Sequence, residues 1–469
     1  MLFFVKKNGN ITKNIQCAML FFMIDFRFRN VLKKLSLTVV PTFFFTSQIV
    51  YGENLQILLN KAIKTSPYIA GSYDDIEISN IKVKQAYGAL VPNMSLNGQN
   101  KWGKSYQETS TDNKSTYRTQ TYNAQLVAPI YNAEIYQNIK QSRKNIEVAE
   151  HQYQVTEEEV YKNIIEHYFS LIELKLEHHF LTHQTNLVLE QKRVAQANFD
   201  VGNVSITDVK EAEAKYNLLI SNAKLVELQQ KRELQILSLL TNENIVMSDL
   251  KLPDQLITPD INDSQKNNYL EYLTHNNKAF KVREDNIQLA IQDIKKAKSQ
   301  FYPTLNFTAK ANYGHRSKDT AFSSQQNGWD TIYGLELTLP LYNFNTPYNV
   351  KESRIRLDKA KNELLVTQEQ IKNQFEEFFY STLLAKQKYI GLESSESSSL
   401  IALEATKKAY SVGMRTNIEV LEAQSKYLDV QKERLLSWHQ SWLSYLKMKL
   451  LLGNLTVNDI SKIDSLFVL

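Results

Sequence analysis

Four stretches of the chain alternate apolar and polar residues with a period of two. In the clearest one, Leu305, Phe307 and Ala309 alternate with polar neighbours. This period is typical of strands with one apolar face. The pattern predicts two pairs of strands, each pair joined by a polar, turn-rich segment. The approximate strand ranges are 92–102 and 117–129 in the first pair, and 303–313 and 330–340 in the second.

After each strand pair the hydrophobic period changes to that of a helix. The segment 132–201 contains neither glycine nor proline. As one helix it would extend about 105 Å at 1.5 Å per residue. A reversal at Gly202 and a return helix over 205–240 follow, and apolar residues three and four apart along this helix indicate a coiled-coil seam. The second half predicts the same arrangement, with a long helix over 348–411, a reversal at Gly413 and a return helix over 416–452.

The second return helix carries two apolar stripes. One stripe repeats the seam of the first half, and the other lies on a different side of the helix. A helix with two such stripes packs between neighbours on both flanks, as in a wall. The alternative is an ordinary hairpin of two helices with one solvated face. The first stripe comprises Val420, Ala423, Tyr427 and Val430, and the second Leu421, Leu428, Leu435 and Trp442.

The chain contains an internal duplication. Three landmarks recur at the same spacing of 211 residues, without a gap between them. A repeat of this kind indicates two copies of one structural unit, which we place at 53–263 and 264–469. The landmarks are two pairs of strand-boundary prolines and one pair of hairpin glycines, namely Pro92 and Pro303, Pro129 and Pro340, and Gly202 and Gly413.

The N-terminal region has the pattern of an export signal. Basic residues precede an apolar run at 35–45, and small or branched residues follow it. We predict cleavage after Gly52, so that residues 1–52 are a leader and cleaved signal peptide. An uncleaved inner-membrane anchor is the alternative. Translation from Met19 or Met23 would shorten the leader.

Charge and cysteine content exclude several classes of function. Residues 1–52 hold seven basic residues and one acidic residue, so their removal leaves 48 basic and 49 acidic residues and changes the net charge from +5 to −1. No nucleic-acid partner is expected, because the basic excess disappears with the leader. The one cysteine, Cys17, lies in the leader. The mature chain would therefore have no disulfide and no thiol nucleophile.

The sequence shows no signature of catalysis. It contains no Walker A loop, no Gly-x-Ser-x-Gly elbow and no His-Glu-x-x-His motif. His179 and His183 are spaced i, i+4 on a predicted helix, but no third metal ligand accompanies them, so we interpret them as solvated. The acidic run Glu157, Glu158 and Glu159 is likewise interpreted as a solvated face. We expect neither enzymatic activity nor a cofactor.

The amphipathic strands suit a membrane only as part of a closed barrel. Backbone groups in a bilayer must all be paired, and about eight strands is the smallest barrel that achieves this. Four strands must therefore combine with those of other copies, and two, three or four copies would all satisfy the rule. We expect one face of the strands to contact lipid and the other not to. Leu305, Phe307, Leu335 and Leu337 belong to the lipid face, and Thr308 and Thr338 to the other.

The duplicated order of proline-flanked strand pair, very long helix, Val-Gly turn and coiled-coil helix resembles the TolC-like outer-membrane factors over essentially the whole mature chain. The closest local matches are the segments 201–209, 410–416 and 419–423. The resemblance implies a mostly α fold with membrane β, in which a homotrimer forms a 12-stranded β-barrel in outer-membrane lipid. A 12-helix α-barrel would continue it across the periplasm.

The same resemblance implies a function and partners. The trimer would be the exit duct of a tripartite efflux or type I secretion system. Its partners would be a periplasmic adaptor (membrane fusion) protein and an inner-membrane pump of the RND, ABC or MFS type. The sequence chooses neither the pump nor the cargo. Two other classes also use long helical hairpins. A periplasmic adaptor carries one hairpin rather than two, and a coiled-coil stalk would leave the strand pairs unexplained.

The helical tips carry the candidate functional residues. Thr416 with Glu419, and Ser205 with Asp208, each fit a capping box at the start of a return helix. Capping alone would explain these four residues. Glu422, one turn beyond Glu419, has no capping role. If this face points inward, three copies would place six carboxylates of Glu419 and Glu422 around the axis, and such rings favour cations.

A gating role for the tip comes from the resemblance. It implies that Arg415 and Tyr410 hold the closed tip by pairing with acids such as Asp208 on a neighbouring helix. The chain departs from the usual pattern in two respects. It has glutamate where the family usually has aspartate, at 419 and 422, and it has Met414 where threonine is frequent. These departures concern the ion behaviour of the tip.

Overall fold

The first half of the molecule runs from a pair of helices through a strand pair into a helical hairpin. The computed structural model describes residues 54–107, 113–202, 205–245, 256–318, 326–412, 414–415 and 417–466. The predicted leader, 1–52, lies outside these residues. The elements of the first half are α1 (Leu55–Thr65), α2 (Pro67–Gly88), β1 (Asn93–Gln107), β2 (Asn113–Asn132), α3 (Ala133–Asp200) and α4 (Ile206–Thr241).

The second half repeats this order of elements and adds one terminal helix. The long helices α3 and α7 have 68 and 67 residues, which corresponds to about 100 Å each. Within the described residues, no helix is both long enough and apolar enough to cross a membrane. The elements are α5 (Lys266–Asn276), α6 (Lys278–Ser299), β3 (Thr304–Lys318), β4 (Gln326–Thr338), α7 (Asn345–Ser411), α8 (Asn417–Leu451) and α9 (Val457–Leu466).

The strands form one antiparallel sheet in the order β1-β2-β3-β4. Leu305 lies opposite Leu337, and Phe307 lies opposite Leu335. Because directly opposed residues of an antiparallel pair lie on the same face, these four side chains share one face, as the alternation predicted. In the described sheet, β1 and β4 are the edge strands.

The predicted ending of a strand at Pro129 is wrong. The strand β2 continues to Asn132, and the pairing with β3 shifts between Pro129 and Tyr131. Proline has no backbone N–H for the ladder, so it is accommodated where the register is interrupted. The other three predicted strand-boundary prolines do flank strands. Pro92 and Pro303 directly precede β1 and β3, and Pro340 follows the end of β4.

The helices form two layers that share the long helices α3 and α7. Beyond the sheet, α3 contacts α2 and α6, and α6 contacts α7. Farther along, α4 contacts α3, α3 contacts α8, and α8 contacts α7. The helix α8 therefore has neighbours on two sides, which agrees with its two apolar stripes. In each layer, α7 occupies one edge, and α2 or α4 occupies the other.

The main apolar core lies where the middle of α3 meets α1, α8 and α9. Tyr168, Phe169 and Trp438 are fully buried there, together with aliphatic residues of all four helices. The indoles of Trp438 and Trp442 both donate to the carbonyl oxygen of Ile257, at 2.7 and 2.8 Å. This shared acceptor fixes the segment before α5 against α8.

The two ends of the described chain are joined by a long-range helix cap. Asn54, at the N-cap of α1, makes no side-chain capping bond. The carboxylate of Asp464 in α9 instead accepts hydrogen bonds from the backbone N–H of Leu55 at 3.1 Å and of Gln56 at 3.3 Å. A carboxylate at this position satisfies free N–H groups and complements the helix dipole.

Candidate functional site

The first helical hairpin reverses through a glycine and a complete capping box. Gly202 has a φ of +81°, a conformation that residues with a side chain rarely adopt. Ser205 Oγ accepts from the N–H of Thr207 at 2.9 Å, and Asp208 accepts from the N–H of Ser205 at 3.2 Å. Asp208 therefore takes part in capping the start of the return helix α4, as the capping interpretation predicted.

The second hairpin carries an ion pair at the same level. Arg415 Nη1 donates to Glu419 Oε1 at 2.6 Å, and both side chains are solvent-exposed to a substantial degree. Glu422 lies one turn farther along α8 and is exposed. Gly413 and Thr416 lie outside the described residues, so the reversal at Gly413 and the Thr416 cap stay predictions.

Within this chain, the tip residues do not pair as the resemblance implied. Arg415 bonds to Glu419 of its own helix, and the carboxylate of Asp208 bonds to the backbone of its own helix start. The i, i+4 spacing brings a guanidinium to a carboxylate without a second helix. Tyr410, which is 43% exposed, lies on the last turn of α7. A role of these residues between copies stays a prediction.

Apolar residues surround both turns and are open to solvent. Val201, Val412 and Met414 are 69, 67 and 79% exposed. Behind the turns, Val209 of α4 and Val420 of α8 are buried within the hairpins. An apolar patch at the end of a helical hairpin is a candidate contact for another protein.

The face of the sheet that carries Leu305, Phe307, Leu335 and Leu337 has aromatic residues at both ends of an apolar band. At the end remote from the helices, Tyr122, Tyr313 and Trp329 lie side by side, with ring centroids 6.3 and 5.0 Å apart. We call these three residues the outer aromatic row. At the other end, Tyr131 pairs with Leu305 on the same face and is exposed.

The distance between these aromatic groups fits a membrane. Residues 122 to 131 of β2 extend about 30 Å along the strand, or about 23 Å along the membrane normal at a tilt near 40°. Transmembrane barrels have an apolar band about 25 Å tall between aromatic girdles. Leu335, which is 67% exposed, lies between the two levels, and Leu337, which is 68% exposed, lies at the level of Tyr131.

His179 and His183 lie one turn apart on α3. The rings of His179 and His183 are 4.7 Å apart and edge to face. Burial and the neighbouring imidazoles lower the pKa of His179. Over the part of the chain that the structure describes, no group of three His, Cys, Asp or Glu residues is arranged to hold a metal ion.

The acidic run on α3 is only partly solvated, which corrects the sequence interpretation. Glu159 is exposed, whereas Glu158 is half-buried at a cavity of about 450 Å³ beside α1, α6 and α9. Burial raises the pKa of Glu158 to about 7, although nearby Lys278 opposes the shift. Glu157 accepts from the hydroxyl of Tyr161 at 2.9 Å. Helical periodicity turns consecutive residues to different sides, so the run does not share one environment.

The amphipathic sheet, its two aromatic ends and the long helical hairpins define an outer-membrane channel protein with a periplasmic helical extension. A family model described as outer membrane efflux protein matches residues 58–243 and 270–454. The chain belongs to this family. Its members are channel proteins rather than enzymes, and the chain is an exit duct for efflux or type I secretion.

The sequence is similar to those of individual outer-membrane and secretion proteins over most of its length. The outer membrane protein TolC of Salmonella enteritidis is 22% identical over 434 residues, which cover 89% of this chain and 86% of that protein. The alkaline protease secretion protein AprF of Pseudomonas aeruginosa is 18% identical, covering 87 and 86%. The similarity therefore includes both strand pairs and both hairpins.

Solved structures show the same fold. The CmeC outer membrane channel of Campylobacter jejuni superposes with a TM-score of 0.68 at 17% identity, covering 88% of this chain and 89% of that chain. The outer membrane protein VceC of Vibrio cholerae gives a TM-score of 0.65 at 16% identity, covering 85 and 96%. The fold persists although few residues are identical.

Proposed function

We propose that three copies of this chain close into a single duct. Twelve strands would form the membrane barrel, and twelve helices would form a periplasmic barrel. The observation that carries the proposal is that the sheet and both helical layers end in open edges. The sheet has β4 at one edge and β1 at the other. The two helical layers both have α7 at one edge, and they have α2 or α4 at the other. Head-to-tail joining of such edges closes a ring when the rotations between successive copies add up to a full turn.

The edge helices expose the apolar residues that such joining would bury. Leu365 and Leu384 of α7 are 60 and 70% exposed, and Leu218 and Leu225 of α4 are 61 and 58% exposed. Isolated apolar side chains on a surface are common, but exposed leucines on both edge helices favour an interface. The copy number of three follows the family resemblance, because closure alone also permits other numbers.

We also propose that the duct works with a periplasmic adaptor and an inner-membrane pump. The exposed apolar residues at the turns, with Met414 the most exposed at 79%, would contact the adaptor. The named relatives include an alkaline protease secretion protein as well as TolC. Small molecules and secreted proteins are therefore both candidate cargoes, and the pump would determine which of them passes. We further propose that the mature chain consists of two structural repeats, 53–263 and 264–469.

The assembly is tested by mass in solution. We expect the mature protein to need detergent for extraction from the outer-membrane fraction and to give a heat-sensitive trimer mass by light scattering in mild detergent. A monomeric mass would contradict the assembly. Extraction without detergent would instead favour a periplasmic adaptor or a stalk.

The tip carboxylates are tested by substitution of Glu422. We expect Glu422→Gln to weaken both cation preference and block by divalent ions in planar-bilayer recordings, because it removes one charge per copy from the constriction. The helix start should be unaffected, since Glu422 takes no part in its cap. Glu377→Gln is the matched control, because Glu377 is an exposed carboxylate of α7 that lies far from the turn. Equal effects of both substitutions would remove the special role of Glu422.

The ion pair at the tip gives a second electrical test. Arg415→Ala leaves the carboxylate of Glu419 without the guanidinium that now lies 2.6 Å away. We expect higher conductance to cations, and a wider tip if Arg415 also bridges copies. An exposed pair contributes only about 0.2–1 kcal/mol, but symmetry repeats it at one constriction. Unchanged conductance would leave Arg415 as ordinary helix-terminal surface.

A further inference from the structure

Beyond the outer aromatic row, the lipid face of the sheet becomes polar and then basic. The next pair on this face is Asn100 opposite Gln120, and the one after it is Trp102 opposite Arg118. These positions lie nearer the strand ends that are remote from the helices. Because the helices extend into the periplasm, this level corresponds to the headgroups of the outer leaflet.

The guanidinium of Arg118 is held in a defined orientation. Its Cζ atom lies 5.4 Å from the ring centroid of Trp102, and its Nε donates to Asn100 Oδ1 at 3.1 Å. Neither contact uses the Nη groups, whose forked geometry suits phosphate oxygens. Trp102 is 71% exposed, although it is the largest type of side chain. An exposed tryptophan beside a cation is typical of a membrane interface.

A second cation lies on the same face. Lys104 follows Trp102 by two residues along β1 and is exposed, so it is a diagonal neighbour of Arg118. Diagonal neighbours in an antiparallel pair have side chains roughly 7–8 Å apart, within reach of one ligand by long side chains. The two carboxylates of the described strands, Asp330 and Glu336, pair in register with Asn312 and Asn306 on the opposite face. The lipid face at this level is therefore basic without a nearby strand carboxylate.

We propose that Arg118 and Lys104, with Trp102 between them on the strand surface, bind the phosphate groups of a phosphorylated lipid in the outer leaflet. The face of the sheet on which the site lies determines whether the phosphate belongs to a lipid or to a dissolved anion. An anion dissolved in the duct would meet the opposite face, where Lys101 and Lys310 lie by register. The inference rests on the proposed barrel, because the barrel assigns this face to lipid.

The test compares two pairs of lysine and arginine substitutions in the trimer. The site variant is Arg118→Gln with Lys104→Gln, and the control is Lys101→Gln with Lys310→Gln, which removes the same charge from the other face. Binding of bis-phosphorylated lipid A and of its dephosphorylated form is measured by native mass spectrometry in mild detergent. We expect the site variant to bind the phosphorylated form about 30-fold more weakly, since each basic residue near an anionic lipid surface contributes roughly fivefold. The control should bind like the unmodified protein.

Each outcome decides the inference. Equal loss in both variants, or equal binding of the two lipid forms by the unmodified protein, overturns it. Displacement of the lipid by millimolar inorganic phosphate would show that the site takes free anions, which also overturns it. The comparison of the two lipids needs no variant, so it stands even if a substitution impairs assembly. A failure of the barrel itself would be recognised separately, by a monomeric mass of the unmodified protein.

Discussion

Replacing Leu335 by arginine should prevent assembly of the trimer in the outer membrane. Leu335 is 67% exposed on the apolar face of β4 and lies opposite Phe307, one residue pair inside the end of the apolar band that is nearer the helices. An arginine on the lipid face of a barrel costs about 2–4 kcal/mol at the midplane and less toward the interfaces. Three copies would each bear this cost in one assembly. The measurement is the fraction of heat-sensitive trimer in outer-membrane extracts.

The matched control is an arginine on the other face at the same depth. Thr308 is the neighbour of Phe307 along β3 and pairs in register with Gly334, next to Leu335. Thr308→Arg should leave trimer formation close to that of the unmodified protein, because this side chain lies on the face opposite the apolar one. If both substitutions reduce the trimer equally, the assignment of faces is wrong.

The strands and long helices were predictable because their apolar periods are local. The alternation at Leu305, Phe307 and Ala309 needs only neighbouring residues to be recognised, and β3 contains all three. The absence of glycine and proline from 132–201 similarly favours one helix, and α3 runs from Ala133 to Asp200. The ion pair of Arg415 with Glu419 is also local, but the resemblance directed attention to a partner on another helix.

The parts that were not predicted depend on distant contacts. The helices α1, α2, α5, α6 and α9 carry none of the three repeat landmarks, and their places follow from packing against the longer helices. Asp464 caps α1 across a separation of 409 residues, which no local motif reveals. The Arg118 and Trp102 contact needs the register of two strands. Alternation alone assigns each strand residue to one face of the sheet. The sequence could therefore have predicted that the strand ends remote from the helices are basic on the apolar face.

The environment of Glu158 leads to the second large effect, an increase in stability on removal of a charge. The free carboxyl has a pKa near 4.5, and burial raises the pKa in the folded protein to about 7. Between these values, the unfolded chain has lost a proton that the folded chain retains. The free energy of unfolding therefore falls as the pH rises from about 4.5 to about 7, and it stays reduced above that.

Glu158→Gln should remove this loss, because glutamine keeps the size of the side chain and has no charge at any pH. At pH 8 we expect the variant to unfold at a higher temperature, with a gain of at most about 3 kcal/mol per copy for the shift of the pKa. At pH 4, where Glu158 is protonated in both states, the two proteins should melt at the same temperature.

Glu159→Gln is the control, since Glu159 is exposed and one residue away on α3. The measurement is thermal melting followed by the helical circular dichroism signal at both pH values. A similar shift at pH 4 and pH 8 would indicate a packing effect instead. A loss of stability at pH 8 would show that the ionised carboxylate is stabilised in the cavity, with the attraction of Lys278 outweighing its burial.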